Sequence, residues 1–382
     1  MSNPNTLGRW FLLETLNRLP TEDIIRKQYL GTRILPFREV PTWKFTWDEL
    51  RSRNNLGGVY AADGQAVPGH DLRFSTRFAE VANLMAMRTL RQDDVMTLRE
   101  AGEIGVRSNA ERAAAQVAMD KLAERLQWCR NALESTIEYL CMWSLQGSLT
   151  WPPKTATGGT IANPPSYWGK VSFTLTASDL GFNPNFIQSA TTLTGVGGEA
   201  GGHLSWKDPN ATPVQDLELI ARYMRSVLGI SVRGATIIMD DDVLSYLTAN
   251  TTLLSWIRGT ERGTNYVAPS ELVNYFKSVF GYDIVTYSAS WTYETGIDTE
   301  SPTINQIPFL KAGRIIIIPP GEAPGFTADA VHLHSDGSYS AGLDVWEYQN
   351  PKPPYDLEVG CKRMCFPVVQ RASEIFVLDA WD

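Results

Sequence analysis

The longest regular pattern in the chain runs from Ser108 to Gly147. Apolar side chains recur at Leu122, Leu126, Cys129, Leu133, Ile137 and Leu140, in steps of four and three that keep one stripe on one face of an α-helix. Lys121, Glu124, Arg125, Arg130 and Glu134 fill the other faces. Ser108 with Glu111 makes a capping box, and Gly147 followed by Pro152-Pro153 ends the run. At about 1.5 Å per residue the helix would be roughly 60 Å long. Its first half is Ala-rich, and Trp128 and Trp143 leave the stripe. No clean heptad is sustained, so the pattern predicts a spine laid across a larger body rather than a coiled-coil arm.

Shorter patterns flank it. Trp10-Phe11-Leu12-Leu13 and Leu16 make a brief amphipathic helix stopped by Pro20, either docked on its own domain or an arm gripping a neighbouring subunit. Residues 31–46 alternate weakly and predict a strand. Residues 47–76 carry turn signals at Gly57-Gly58, Asp63-Gly64 and Pro68-Gly69, and predict a long two-stranded excursion. Val81–Glu100 is Met-rich and helix-prone. Beyond the spine, Lys170–Thr176 alternates as a strand, and Pro213 opens a helix with Val214, Leu217, Met224 and Leu228 on one face. From 231 to 349 strands and helices alternate as in a compact α/β lobe; Ser270 is expected to cap one of those helices. Asn350–Pro354 reads as a stiff linker. Phe366–Arg371 and Glu374–Leu378 predict two strands that return to pair with Lys170–Thr176, forming one sheet beside the spine.

Composition narrows the class. The chain has 382 residues, enough for two or three lobes, and its 43% hydrophobic and 20% charged residues are an ordinary soluble mixture. The start lacks the basic-then-apolar order of a signal peptide, and no apolar run approaches membrane-spanning length. Four cysteines without a C-x-x-C pair predict free thiols in a reducing setting. The net charge is −8, and residues 213–355 hold 9 Lys/Arg against 16 Asp/Glu, which argues against tight nucleic-acid coating by that region.

Candidate chemistry is sparse. Gly195-x-Gly197-Gly198-x-x-Gly201-Gly202 lacks the helix directly after it that a phosphate cradle needs, so it reads as a loop. Asp240-Asp241-Asp242 stands where a strand meets a helix and reads as a cap rather than a cation site. His332 and His334 share a strand face, with Asp336 after them, but no third ligand is evident, and they are expected to face solvent. Neither a nucleophile elbow nor a zincin motif occurs. The expectation is no catalytic residue, no cofactor and no metal.

The order of parts is itself distinctive: arm, projecting hairpin, very long helix, strand, α/β lobe, return strands. Trp206-Lys-Asp208-Pro209 with Asp216-Leu217, Thr236-Ile-Ile-Met-Asp240, Pro308–Pro319, and Phe366-Pro-Val-Val-Gln370 with Phe376–Ala380 occur in sequence along it. This ordered set resembles the lambda-type phage major capsid protein E family. The resemblance implies an α+β, phage capsid (Hong Kong 97-type) fold: an N-arm and first strand at 1–45, an extended loop and flank at 46–100, a peripheral domain at 101–212 with spine 108–147, an axial domain at 213–355, and return strands at 356–382. It implies a structural protein, not an enzyme, that self-assembles into an icosahedral head shell around double-stranded DNA. It implies as partners other copies in hexamers and pentamers, scaffold, portal and decoration proteins, and packaged DNA held by non-specific contact, with no membrane. Such a protein would reside in the virion after assembly in the host cytoplasm. Arg53, Asp63, His70, Asp71 and Arg73 on the excursion, and Trp10 and Phe11 on the arm, are the expected assembly contacts. Residues 46–76 contain no Lys, so the covalent cross-linking some capsids of this fold use through that loop is not implied. An encapsulin-like compartment on the same fold, or an α/β enzyme, are the alternatives.

Overall fold

The predicted spine is helix α2, Ala110–Leu145. The computed structural model describes residues 29–49, 75–90, 110–153, 172–193, 204–229, 231–258, 267–295, 303–334, 337–349 and 357–381. All six stripe positions are buried. Leu122, Leu126, Cys129 and Leu133 pack on Val345, Val359 and Cys361, which belong to strands β16 (Asp344–Gln349) and β17 (Leu357–Val369). The stripe therefore faces a sheet, not a partner helix. From Ile137 to Gly147 the chain is buried on every side, in a core that also holds Leu35, Phe309 and Phe366.

That sheet is built on β17, thirteen residues long. Antiparallel to it run β13 (Gly325–Ala330) along 365–369, β16 along 357–362, and β4 (Ala82–Leu90) along 357–365. Strand β1 (Phe37–Val40) adds to β13 in parallel. Strand β4 replaces the helix expected over Val81–Glu100, of which 91–100 lie outside the described residues. Ala, Leu and Met favour helix in isolation, but Ala82, Leu84 and Ala86 are partly buried while Asn83, Met85 and Met87 are exposed. A period of two that docks on a nine-residue ladder outweighs local propensity.

The α/β lobe holds a second sheet, ordered β7 (Ile187–Ser189), β18 (Phe376–Asp379), β12 (Arg314–Ile318), β8 (Thr236–Met239), β9 (Asp283–Thr286). Helices α4 (Pro213–Leu228), α5 (Asp241–Thr248), α6 (Thr251–Arg258) and α7 (Pro269–Tyr275) surround it. Val214, Leu217, Met224 and Leu228 of α4 are all buried, as their spacing predicted. Ser270 is not the cap of α7: Ala268 holds that position and Pro269 takes the first turn. The helix continues through a π-turn, Phe276–Phe280, to Gly281 at φ 74°.

Strand partnerships cross the expected boundaries. Residues 325–330 and 344–349, expected in the 213–355 lobe, pair under the spine. Residues 376–379, expected with the spine sheet, pair inside the lobe. Nor do the terminal strands meet Lys170–Thr176, where only β6 (Phe173–Leu175) forms, paired with β5 (Leu149–Trp151). Phe376, Val377 and Leu378 are buried on both strand faces and fit a sheet interior, whereas β6 is only partly covered. Residues 350–354 are not a link between domains, since β16 and β17 on either side pair with each other. Residues 31–34, expected as strand, form the helical turn α1 (Gly31–Ile34).

Two polar knots tie these layers. Glu138 is fully buried. Its Oε1 accepts from the Leu30 and Gly31 N–H groups at 2.8 and 2.7 Å and from the Tyr287 hydroxyl at 2.5 Å; its Oε2 accepts from the Thr32 N–H at 3.1 Å. A spine carboxylate thus caps α1 and reaches the α/β lobe in one contact set. Gly31 has no alternative there, since a Cβ would lie 2.9 Å from Cys141 Cβ and 3.1 Å from Glu138 Oε2.

At the C-terminal end of the spine, Gln146 Nε2 donates to the Phe309 carbonyl and its Oε1 accepts from the Lys311 N–H, each at 2.9 Å. Arg314 holds Asp379 through two 2.8 Å bonds, with Lys311 Nζ at 3.3 Å. Gly313 between these cations sits at φ 75°, and a Cβ there would meet the Trp381 ring at 2.5 Å. Burial raises the Asp379 pKa, but Arg314 and Lys311 outweigh it and hold the carboxyl below its usual range. The unfolded carboxylate, at about 3.9, therefore takes up its proton first on acidification. The stability from this pair is present above about pH 4 and lost as pH falls through the folded value. Urea midpoints of Asp379→Asn are expected to be lower than wild type at pH 6 and to converge with it towards pH 3; a constant gap would refute the assignment.

Candidate assembly surface

The base of the predicted excursion is an antiparallel ladder of β2 (Lys44–Glu49) and β3 (Ser75–Glu80), with six residue pairs from Lys44–Glu80 to Glu49–Ser75. Arg77 Nη1 fixes it to the body, donating to the Ser178 and Asp179 carbonyls at 2.8 and 2.7 Å, at the end of the short helix α3 (Ala177–Leu180). The Val81 N–H closes the stem onto the Trp43 carbonyl at 2.8 Å. Trp43 is 55% exposed, with the Lys44 ammonium 5.5 Å from its ring. Beside the stem, β4 turns Met85 and Met87 outward, while Arg88 stacks 3.9 Å over the Trp128 ring of the spine. An apolar groove of about 390 Å³ runs between β4 and α2, lined by Leu84, Trp128, Leu133, Trp151, Phe173 and Trp291. Trp291 belongs to β10 (Ser290–Thr295), which pairs with β11 (Thr303–Pro308).

The expected contact residues Arg53, Asp63, His70, Asp71 and Arg73, and Trp10 and Phe11, all lie outside the described residues; so do Gly195–Gly202 and Asp336. Asp240 caps α5, but through a relay: the Asp241 N–H donates to Ser288 Oγ at 3.0 Å, and the Ser288 hydroxyl donates to Asp240 Oδ1 at 2.7 Å. His332 and His334 do not face solvent. They are 5% and 3% exposed, because the hairpin of β14 (His332–Leu333) and β15 (Tyr339–Ser340) folds back over them. The four thiols are buried and free. Burial pushes Cys129 and Cys365 up to about 12, so neither is a nucleophile. No helix among the described residues is long and apolar enough to cross a membrane.

Sequence reasoning missed Glu138 and Arg77. Glu138 carried one signal, a lone acid leading the apolar run Tyr139–Trp143; Arg77 carried none. The Trp206…Asp216 motif has a local cause. The Trp206 indole donates to buried Asp216 Oδ2 at 2.7 Å, and Asp208 Oδ1 accepts from the Asn210 N–H at 2.8 Å to form the turn between them. The Trp206 N–H also donates to the Ala380 carbonyl at 3.0 Å, joining that turn to the terminal strand.

A solved structure shares this fold. A protein assigned as a prophage capsid protein in E. coli CFT073 superposes with a TM-score of 0.57 at 14% identity, covering 98% of this chain and 99% of that one. A phage-related protein from Bordetella bronchiseptica RB50 gives 0.46 at 10% identity, covering 98% of each chain. The satellite phage P4 procapsid gives 0.46 at 9% identity, covering 100% of this chain and 93% of that one. No curated protein matches the sequence. Residues 12–162 match the family profile described as phage major capsid protein E. The chain has a phage-capsid-type fold.

The match covers residues 12–162, which include the spine, whereas the motifs that carried the resemblance lie at 206–380. The layers of the chain are tied by Glu138 and by the Arg314–Asp379 pair.

Proposed function

We propose that copies of this chain assemble through hexamers and pentamers into an icosahedral head that encloses double-stranded DNA. The ladder β2–β3, fixed by Arg77, carries this reading: it flanks residues 50–74, the segment that holds the turn signals. Arg53, Asp63, His70, Asp71 and Arg73 on that segment, with Trp10 and Phe11 on the arm, are assigned the contacts to neighbouring subunits. One sequence must then serve several interface angles, which suits long extensions better than flat faces. Scaffold, portal and decoration proteins fit as further partners of such a head. The axial role of the α/β lobe around 213–320 belongs to the same proposal.

Purified chain examined by size-exclusion chromatography and negative-stain microscopy is expected to give capsomers or closed shells. A persistent monomer at high concentration would overturn the reading. DNA within particles isolated from a lysate supports the viral head, and protein cargo in its place would identify a compartment shell.

A further inference from the structure

We propose that His332, His334 and Asp344 form a binding site for one divalent transition-metal ion, with zinc the ion that fits, tying the β14–β15 hairpin to the first residue of β16. The inference does not rest on the shell-forming reading. The three residues are all buried, and one ligand atom from each lies within 4.8 Å of the others. The two imidazole centroids are 4.5 Å apart, and His334 Nδ1 is 3.2 Å from Asp344 Oδ1.

Hydrogen bonds on the far side of each ring select the ligating nitrogen. His332 Nδ1 lies 3.0 Å from the Ala330 carbonyl, which accepts only, so this nitrogen carries the proton and Nε2 keeps its lone pair. His334 Nε2 lies 2.6 Å from the Ser340 hydroxyl and 2.9 Å from the Ser340 carbonyl, which leaves Nδ1 facing Asp344. A backbone carbonyl behind each imidazole is the usual outer support of a metal-bound histidine. The arrangement without an ion is unfavourable in one place. His332 Nε2 is buried with no hydrogen-bond partner. A cation between the three donors supplies one.

Two imidazole nitrogens and one carboxylate oxygen exclude calcium and magnesium, which take oxygen ligands, and suit zinc with a fourth position for water. Donors about 2.0–2.1 Å from tetrahedral zinc lie about 3.3 Å from one another. The His334–Asp344 pair already has that spacing, and a small rotation of His332 completes it. The ion would also strengthen a weak element, because β14 and β15 share two residue pairs and so short a hairpin is marginal by itself. Its exposed Leu333 and Tyr339 would then form a fixed surface.

The test uses untagged full-length chain stripped with EDTA and titrated with Zn²⁺ against a chromophoric chelator. Uptake of one equivalent is expected, with a rise in melting temperature; Co²⁺ should give the visible absorption of a tetrahedral site. His332→Gln and Asp344→Asn should each weaken uptake by at least about a hundredfold. The chain has only four histidines, so His70→Gln/His203→Gln should leave uptake unchanged and guards against a variant that fails to fold. Absence of uptake by the wild type, retention of full affinity in His332→Gln, or loss of uptake only in the His70/His203 variant would overturn the site and leave a His334–Asp344 ion pair only.

Discussion

Exchange of residues 54–75 for a short Gly-Ser turn is expected to yield a folded subunit that forms no shells. The cut leaves most of the β2–β3 ladder, the Arg77 anchor and the Val81–Trp43 bond in place. Among the described residues, the three apolar cores draw on the spine, the two sheets and the lobe helices. Closing a short loop in place of a long one changes the chain entropy by only about 1–2 kcal/mol. Circular dichroism and the urea midpoint should therefore stay close to wild type. Assembly should be lost, because the segment holds Asp63, His70, Asp71 and Arg73. Normal shells in negative stain would remove the excursion from the assembly mechanism and leave the arm to provide it.

Glu138→Ala is expected to destabilise the subunit by about 3–5 kcal/mol, the usual cost of breaking a buried charged network. The loss is large because one carboxylate serves four donors. Without it the N–H groups of Leu30, Gly31 and Thr32 and the Tyr287 hydroxyl lose their acceptor, and each buried unsatisfied donor costs about 1–3 kcal/mol. Burial lifts the Glu138 pKa, while Tyr287 and the three backbone N–H groups pull it back without restoring it. Glu138→Gln keeps the volume but turns an amide NH₂ towards donors, so it should also destabilise, though less. Tyr287→Phe should cost less than either, about 1.5–3 kcal/mol for one bond to a charged acceptor. Urea midpoints decide the matter: an alanine variant within about 0.5 kcal/mol of wild type, the range of ordinary surface changes, would show that the knot contributes nothing.

What the sequence made legible was whatever depends on periodicity and local backbone chemistry. The stripe Leu122–Leu140 predicted a buried face; Pro213 opened α4 where expected; the segment expected as a two-stranded excursion is flanked by the paired strands β2 and β3. The assignment of Ala82–Leu90 failed because Ala, Leu and Met favour helix, and only the ladder with β17 shows that a strand lies there. Sheet membership failed for a related reason. Alternation fixes which face of a strand is buried, but not which strand lies beside it, and β18 chose β12 and β7 over β6.

Polar side chains were hardest to place. The carboxylate of Glu138 meets partners about a hundred residues before it and Tyr287 149 residues after it. His332 and His334 looked solvent-facing because alternation places both on one face without saying what covers it. Their third partner, Asp344, joins them only when the β14–β15 hairpin turns the chain back. By itself the sequence determined the elements and the long helix that organises them, since hydrophobic period and turn chemistry act over a few residues. Which strands became neighbours, and which buried charges found donors, was decided by tertiary structure, because those choices satisfy hydrogen bonds and exclude water between segments far apart in the chain.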